Sequence, residues 1–219
     1  MLAYIEKNIE ALKKEIPEAV TLIAVTKYHD DEETQAVVDA GVCDLGESKV
    51  QDLMGKMERI KGEIRWHFIG HLQRNKVKYL VGKVFLIHSV HSLELLETIE
   101  KESLKKGVIT DVLIQFNLAE EDSKSGFSAT EYREVFDRIQ SLEAVRVKGL
   151  MCIGPMTKNS DEIRKIFKQL KGLYDTIKEE YHGRNIDFTT LSMGMTDDYP
   201  IAIEEGATMV RIGRKIFYQ

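Results

Sequence analysis

Two cations at opposite ends of the chain carry the most chemical information. Lys27 follows the apolar run Thr21-Leu22-Ile23-Ala24-Val25-Thr26, and Arg211 stands in Arg211-Ile212-Gly213-Arg214. An amine carried by a strand to the edge of a core can form a Schiff base with a carbonyl compound. Another apolar run ends in Ser192-Met193-Gly194-Met195, where small residues let backbone N–H groups approach an anion such as phosphate. Each feature also has a plainer reading. Alone, Lys27 reads as a lysine that buries its stem and keeps its ammonium in water, and Arg211 as an ion-pair partner. His67 and His71 have the spacing of zinc ligands on a helix, but Trp66 to Gly70 reads as strand, where that spacing does not converge. Core and loop roles fit them better, and strand-end and cap roles fit His88 and His91. Met151, Met156, Met193 and Met195 read as packing around one end of the fold.

The elements that must position these groups follow from periodicity. Leu2, Ile5, Ile9 and Leu12 share one side of an opening helix from Leu2 to Glu15, which Pro17 ends. Eight strand-like runs follow: Leu22 to Lys27, Leu45 to Ser48, Trp66 to Gly70, Phe85 to Ser89, Val112 to Asn117, Val147 to Cys152, Phe188 to Ser192 and Met209 to Gly213. Helical stretches separate them. Asp30 to Glu33 opens one, which Gly41 stops; Ser128 to Glu131 is a capping box for another, and Gly107 ends the long helix that begins near Ser92. Eightfold alternation of strand and helix predicts a single-domain (β/α)8 barrel over residues 1–219. An open doubly wound sheet would normally show a glycine-rich turn after its first strand, but Lys27 is followed by Tyr28-His29-Asp30.

Composition narrows the function class. A chain of 219 residues with 43% hydrophobic content can bury one sizeable core, and no apolar stretch approaches the length of a membrane span or a secretory signal. A cytoplasmic protein is expected. The net charge of -5, with basic and acidic residues interleaved, argues against nucleic acid as a partner. Cys43 and Cys152 lack metal-type spacing and read as small core residues in a reducing compartment.

In a (β/α)8 barrel the chemistry sits at the C-terminal ends of the strands. Lys27, Glu47, Ser48, His71, His88, Ser89, Asn117, Ser192 and Arg211 all fall there. Closure makes the eighth strand the neighbour of the first, so Arg211 and Lys27 should lie close in space. The loops after strands seven and eight usually cradle phosphate in this fold, and Ser192, Gly194 and Gly213 fit that role. A lysine for an aldehyde, a phosphate cradle and a nearby arginine together point to pyridoxal 5'-phosphate (PLP).

Six segments carry a resemblance. Val25-Thr26-Lys27, Gly46-Glu47-Ser48-Lys49-Val50-Gln51, the run from Trp66 to Lys76, Gly149-Leu150-Met151-Cys152-Ile153, Leu191-Ser192-Met193-Gly194-Met195 and Arg211-Ile212-Gly213 resemble the pyridoxal phosphate homeostasis protein family, in family order and across nearly the whole chain. That family is similar in fold to the barrel domain of alanine racemase. The resemblance implies that Lys27 bonds the aldehyde, that Arg211 faces the pyridine nitrogen, and that Ser192 and Gly213 sit at the phosphate. Ser48, His71, Met151, Gly194 and Arg214 complete the candidate cofactor-binding set. Two positions depart from the family. Ser48 stands where asparagine is common, and Arg214 replaces a threonine, which removes a hydroxyl but leaves the backbone N–H.

The leading expectation is a PLP-binding protein that holds, buffers or delivers the cofactor, with PLP-dependent apoenzymes as possible partners and the monomer as its state. Racemases of this barrel type add a tyrosine from a further β-domain, whereas this chain stops six residues after Gly213. An arginine at the ring nitrogen also weakens the ring as an electron sink. Two rivals stay open: a one-domain amino-acid racemase using Tyr199 or a histidine as the second proton relay, and a Schiff-base aldolase or other sugar-phosphate barrel enzyme.

Overall fold

The computed structural model describes residues 2–119 and 124–218. Helix α1 (Ala3–Glu15) buries Ile5, Ile9 and Leu12, the stripe expected of a one-sided helix. Strands and helices then alternate: β1 (Thr21–Val25), α2 (Asp31–Asp39), β2 (Asp44–Glu47), α3 (Val50–Arg59), β3 (Arg65–Phe68), α4 (Val77–Leu80), β4 (Leu86–Val90) and α5 (Leu93–Lys106). The second half continues with β5 (Thr110–Phe116), α6 (Tyr132–Gln140), β6 (Val145–Cys152), α7 (Ser160–Glu180), β7 (Ile186–Ser192), α8 (Tyr199–Glu204), β8 (Met209–Ile212) and α9 (Arg214–Phe217). The strands are parallel and close in sequence order, with β8 against β1 in a register that sets Ile23 beside Arg211. This is the expected (β/α)8 barrel.

Local chemistry fixes the element ends. Asp30 accepts from Glu33 N at 2.8 Å, and the Glu33 side chain answers the Asp30 N–H, so a capping box opens α2. Gly107 ends α5 in the left-handed region at φ 65°. The Ser128 box opens a 3-10 turn that leads into α6. Strand ends differ from the periodicity reading by at most two residues. β1 stops at Val25, although Thr26 still donates to Gly46 O at 3.1 Å, so Lys27 emerges just beyond the ladder.

The outward faces of the strands pack with the helices into the main apolar core. Inside the barrel two kinds of filling meet. Leu86, Leu113 and Met151 form a small apolar cluster with Ile153 and Met209. Beside it lie buried Asp44, His67, His88, Ser192 and Arg211. Gly149, at φ 144°, permits the close approach of β6 and β7, because a Cβ there would stand 1.8 Å from Thr190 O.

Two sequence expectations need correction. Cys152 is buried, but Cys43, just before β2, is exposed between the buried Val42 and Asp44. Met151 and Met193 are buried, whereas Met156 and Met195, expected as packing around one end of the fold, are exposed on the loops after β6 and β7.

Candidate functional site

Lys27 is half-buried, and the peptide leading into it is held from the side away from the barrel interior. Thr26 donates its hydroxyl to Glu47 Oε1 at 2.7 Å. Lys56, reaching in from α3, donates to the same oxygen at 2.7 Å and to Thr26 O at 2.7 Å. Glu47 and Lys56 are both buried, so this ion pair is shielded from solvent. The next residue, Tyr28, has φ 71° and is 78% exposed. A left-handed non-glycine backbone costs about 1–2 kcal/mol, and here it swings the ring between Lys27 Nζ at 5.8 Å and Lys49 Nζ at 5.4 Å. His29 then stacks on Phe217 with centroids 3.5 Å apart, which seats the β1–α2 turn on the C-terminal segment.

Arg211 is 5% exposed. Its Nη1 donates to Ser192 Oγ at 2.6 Å and its Nη2 to Cys152 O at 2.8 Å, and both acceptors are neutral. Among the described residues no carboxylate makes an ion pair with it. Burial pulls its pKa below the usual guanidinium value, yet an arginine in a protein remains charged. The barrel therefore holds a cation without a counter-ion in contact. Burial also pushes the Cys152 thiol up to about 12, which keeps this neighbour a thiol and not a nucleophile at neutral pH.

From Ser192 a line of polar groups crosses the barrel. Ser192 Oγ lies 3.0 Å from His88 Nδ1, His88 Nε2 lies 2.9 Å from His67 Nδ1, and His67 Nε2 lies 2.9 Å from Asp44 Oδ1. Strands β4 and β7 are not neighbours in the sheet, so the His88–Ser192 contact can only run through the interior. At the far end Arg65 grips Asp44 with two bonds, of 2.7 and 2.5 Å. Burial lowers the pKa of His67 and lowers that of His88 well below the ordinary imidazole value. For Asp44 burial acts upward, but the bonds from His67 and Arg65 outweigh it and hold the carboxyl below its usual range.

The other expected site residues surround this centre. Gly194 has φ 90°, and its carbonyl accepts from Arg211 N at 3.0 Å, which joins the loop after β7 to β8. A Cβ at Gly194 would stand 2.5 Å from that of Ala202. Gly213 leads into α9 at the C-terminal end of β8, and its carbonyl accepts from Ile216 N at 2.8 Å, which leaves the N–H groups of Arg214 and Lys215 at the helix start without an acceptor within the helix. A Cβ on Gly213 would meet Val25 O at 3.3 Å, so its lack of a side chain serves the contact of β8 with β1. The Arg214 guanidinium is exposed and paired with Asp197, tying the loops after β7 and β8 together. Ser48 and His71 line a cleft of about 240 Å3 that also includes Phe68 and Lys76. His71 contacts Ser125 Oγ at 3.1 Å and stacks on His91 at 4.3 Å. Met151 lies in the inner apolar cluster. Thus Arg211 meets Ser192 directly, and Lys27 follows the adjoining strand β1. Ser48 and His71 occupy the β2–β3 side of the mouth.

The sequence reading missed Asp44, Arg65 and the inward roles of His67 and His88, and it missed Lys56. One clue was available: Asp44, Gly46, Arg65, His67, Leu86 and His88 alternate along three consecutive strands, marking one face as partly polar.

The model of the alanine racemase N-terminal domain family matches residues 1–218. The chain is 41% identical over 197 residues to the pyridoxal phosphate homeostasis protein of Aquifex aeolicus, covering 90% of this chain and 85% of the relative. It is 39% identical over 229 residues to the protein of the same name from Helicobacter pylori, covering 99% of each. The structure of PipY from Synechococcus elongatus PCC7942 without PLP superposes with a TM-score of 0.92 at 30% identity, over 98% of this chain and 100% of PipY. With PLP bound, PipY gives 0.90 at 29% identity over the same shares. Alanine racemase of Clostridium difficile 630 shares the fold, with a TM-score of 0.83 at 15% identity over all of this chain and 60% of the enzyme. The chain belongs to the alanine racemase N-terminal domain family and, within it, to the pyridoxal phosphate homeostasis proteins.

Proposed function

We propose that this protein binds PLP at the C-terminal mouth of its barrel and serves PLP homeostasis by holding, buffering or delivering the cofactor. The observation that carries the reading is Arg211, a buried guanidinium whose acceptors among the described residues are neutral, on the strand beside the one that leads to Lys27. A ring nitrogen is an acceptor of the kind such a donor set can meet, so the residues present fit the cofactor. Lys27 would hold the aldehyde covalently, and the backbone at Gly194, Gly213 and Arg214 would receive the phosphate. Ser48, His71 and Met151 would complete the pocket. The Ser192 hydroxyl lies inward against Arg211 and His88, which leaves its backbone for the mouth. When bound, PLP supplies an aldehyde reactive toward amines and an electron-withdrawing ring.

The racemase reading loses its tyrosine. Tyr199 is buried, its hydroxyl donates to Glu15 and accepts from Lys215 at 2.7 Å, and it is thereby committed away from proton transfer. We further propose that residues 1–219 act as one PLP-binding domain, as a cytoplasmic monomer, and that PLP-dependent apoenzymes take the cofactor from it.

Borohydride reduction of the PLP-loaded protein and peptide mass analysis should place the pyridoxyl group on Lys27. A label found solely on Lys49 or Lys76 would remove the assignment. Pyridoxal lacking the phosphate should bind at least about a hundredfold more weakly, because two charge-assisted hydrogen bonds at roughly 1.5 kcal/mol each are lost. Comparable affinities in a spectroscopic titration would mean that the two glycine loops form no cradle.

A further inference from the structure

Arg211 and Asp44 end a hydrogen-bond chain in which each proton has one place. A guanidinium can only donate, so Ser192 Oγ accepts from Arg211 and must send its own proton elsewhere. The other polar group on this hydroxyl is His88 Nδ1, at 3.0 Å. A neutral His88 that accepts at Nδ1 carries its proton on Nε2, and that nitrogen faces His67 Nδ1 at 2.9 Å. His67 in turn carries its proton on Nε2 and gives it to Asp44 Oδ1 at 2.9 Å. Asp44 is an acceptor in its carboxylate form and is clamped by Arg65. Every link from His67 to Arg211 is buried, so water cannot substitute for a lost partner.

We propose that His88, with His67 behind it, is a positioning residue for Arg211: the chain from Asp44 holds the Ser192 hydroxyl with its lone pairs toward the guanidinium and so fixes Arg211 beneath the ring site. The consequence for the ligand rests on the PLP reading above. The chain itself does not. Without the acceptor at His88 Nδ1, the Ser192 proton turns toward Arg211, the donors oppose each other, and among the described residues the guanidinium keeps only Cys152 O.

Two measurements test this. In the protein without PLP, long-range 1H–15N NMR of the imidazoles should show both His67 and His88 as neutral Nε2–H tautomers at pH 7.5. A doubly protonated ring or an Nδ1–H tautomer at either position overturns the chain. PLP titration followed by absorbance gives the second test. His88→Phe removes the acceptor and should weaken PLP about tenfold and shift the absorbance maximum, the loss expected for one hydrogen bond to a charged group. His88→Gln keeps one acceptor and one donor and should recover most of the affinity. Ser192→Ala should match His88→Phe, and the double variant should be no weaker than either, because both break the same chain. Should His88→Phe fail to fold, Ser192→Ala carries the test. Wild-type affinity and spectrum in Ser192→Ala, or additive losses, would overturn the positioning role. Wild-type protein that takes up no PLP would instead defeat the functional reading, leaving the chain to be judged by its tautomers.

Discussion

Two buried polar devices flank the mouth, and they handle charge in opposite ways. Behind Lys27, Glu47 and Lys56 are in direct contact and cancel, with Thr26 held between them. Inside the barrel the opposite charges, Arg211 and Asp44, are separated by Ser192 and two imidazoles. A contact pair gains enough attraction to offset much of its own desolvation and has little left for a ligand. A separated pair leaves a cation free to be answered by an incoming acceptor. The first device serves as a bracket for the lysine backbone, and the second presents charge to the site.

The contrast can be broken most forcefully at the bracket. Lys56→Ala leaves Glu47 as a buried, uncompensated charge and should lower stability by about 3–5 kcal/mol in urea unfolding. Replacing both partners, as in Glu47→Leu with Lys56→Met, should restore most of it, and a double variant as weak as the single one would show that the pair does more than cancel. Gly194→Ala comes next. It combines φ 90° with a 2.5 Å Cβ contact, and backbone strain with overpacking should cost about 2–4 kcal/mol.

The interior chain should reveal itself through pH. His67 and His88 are neutral in the folded protein because burial lowers their pKa, whereas the unfolded chain protonates them below about pH 6.5. The unfolded state then binds more protons, so stability is fully present above that pH and falls below it, by up to about 1.4 kcal/mol per pH unit for each histidine. Asp44 adds a further loss below its ordinary carboxylate value. Urea midpoints that stay level from pH 7.5 to 5 would show that the imidazoles are not held neutral. The smallest effect belongs to the surface. Arg214→Thr removes an exposed pair with Asp197 and should change stability by less than about 1 kcal/mol.

Much of the barrel was legible because its evidence is local. Caps at Asp30 and Ser128, the stop at Gly107 and eight β-branched runs each follow from neighbours in the chain. Strand ends could not be read that way: periodicity placed Lys27 inside a strand, while β1 stops at Val25 and only the Thr26 N–H continues its hydrogen bonds to β2. The Tyr199 hydroxyl is bound to Glu15, 184 residues earlier in sequence, a contact no local pattern records.

For the site, the sequence by itself determined the chemical inventory: a lysine after the first strand, glycine-containing turns after the seventh and eighth, and an arginine on the strand that closure sets against the first. Alternation along each strand also settled which side chains share a face. Only the tertiary structure decided that His67, His88 and Ser192, from β3, β4 and β7, join into one chain, and that among the described residues no carboxylate makes an ion pair with Arg211. The reason is physical: parallel pairing fixes neighbours around the wall, but contacts across the interior depend on the stagger of the closed barrel, and the direction of a hydrogen bond depends on what each buried group meets at both ends.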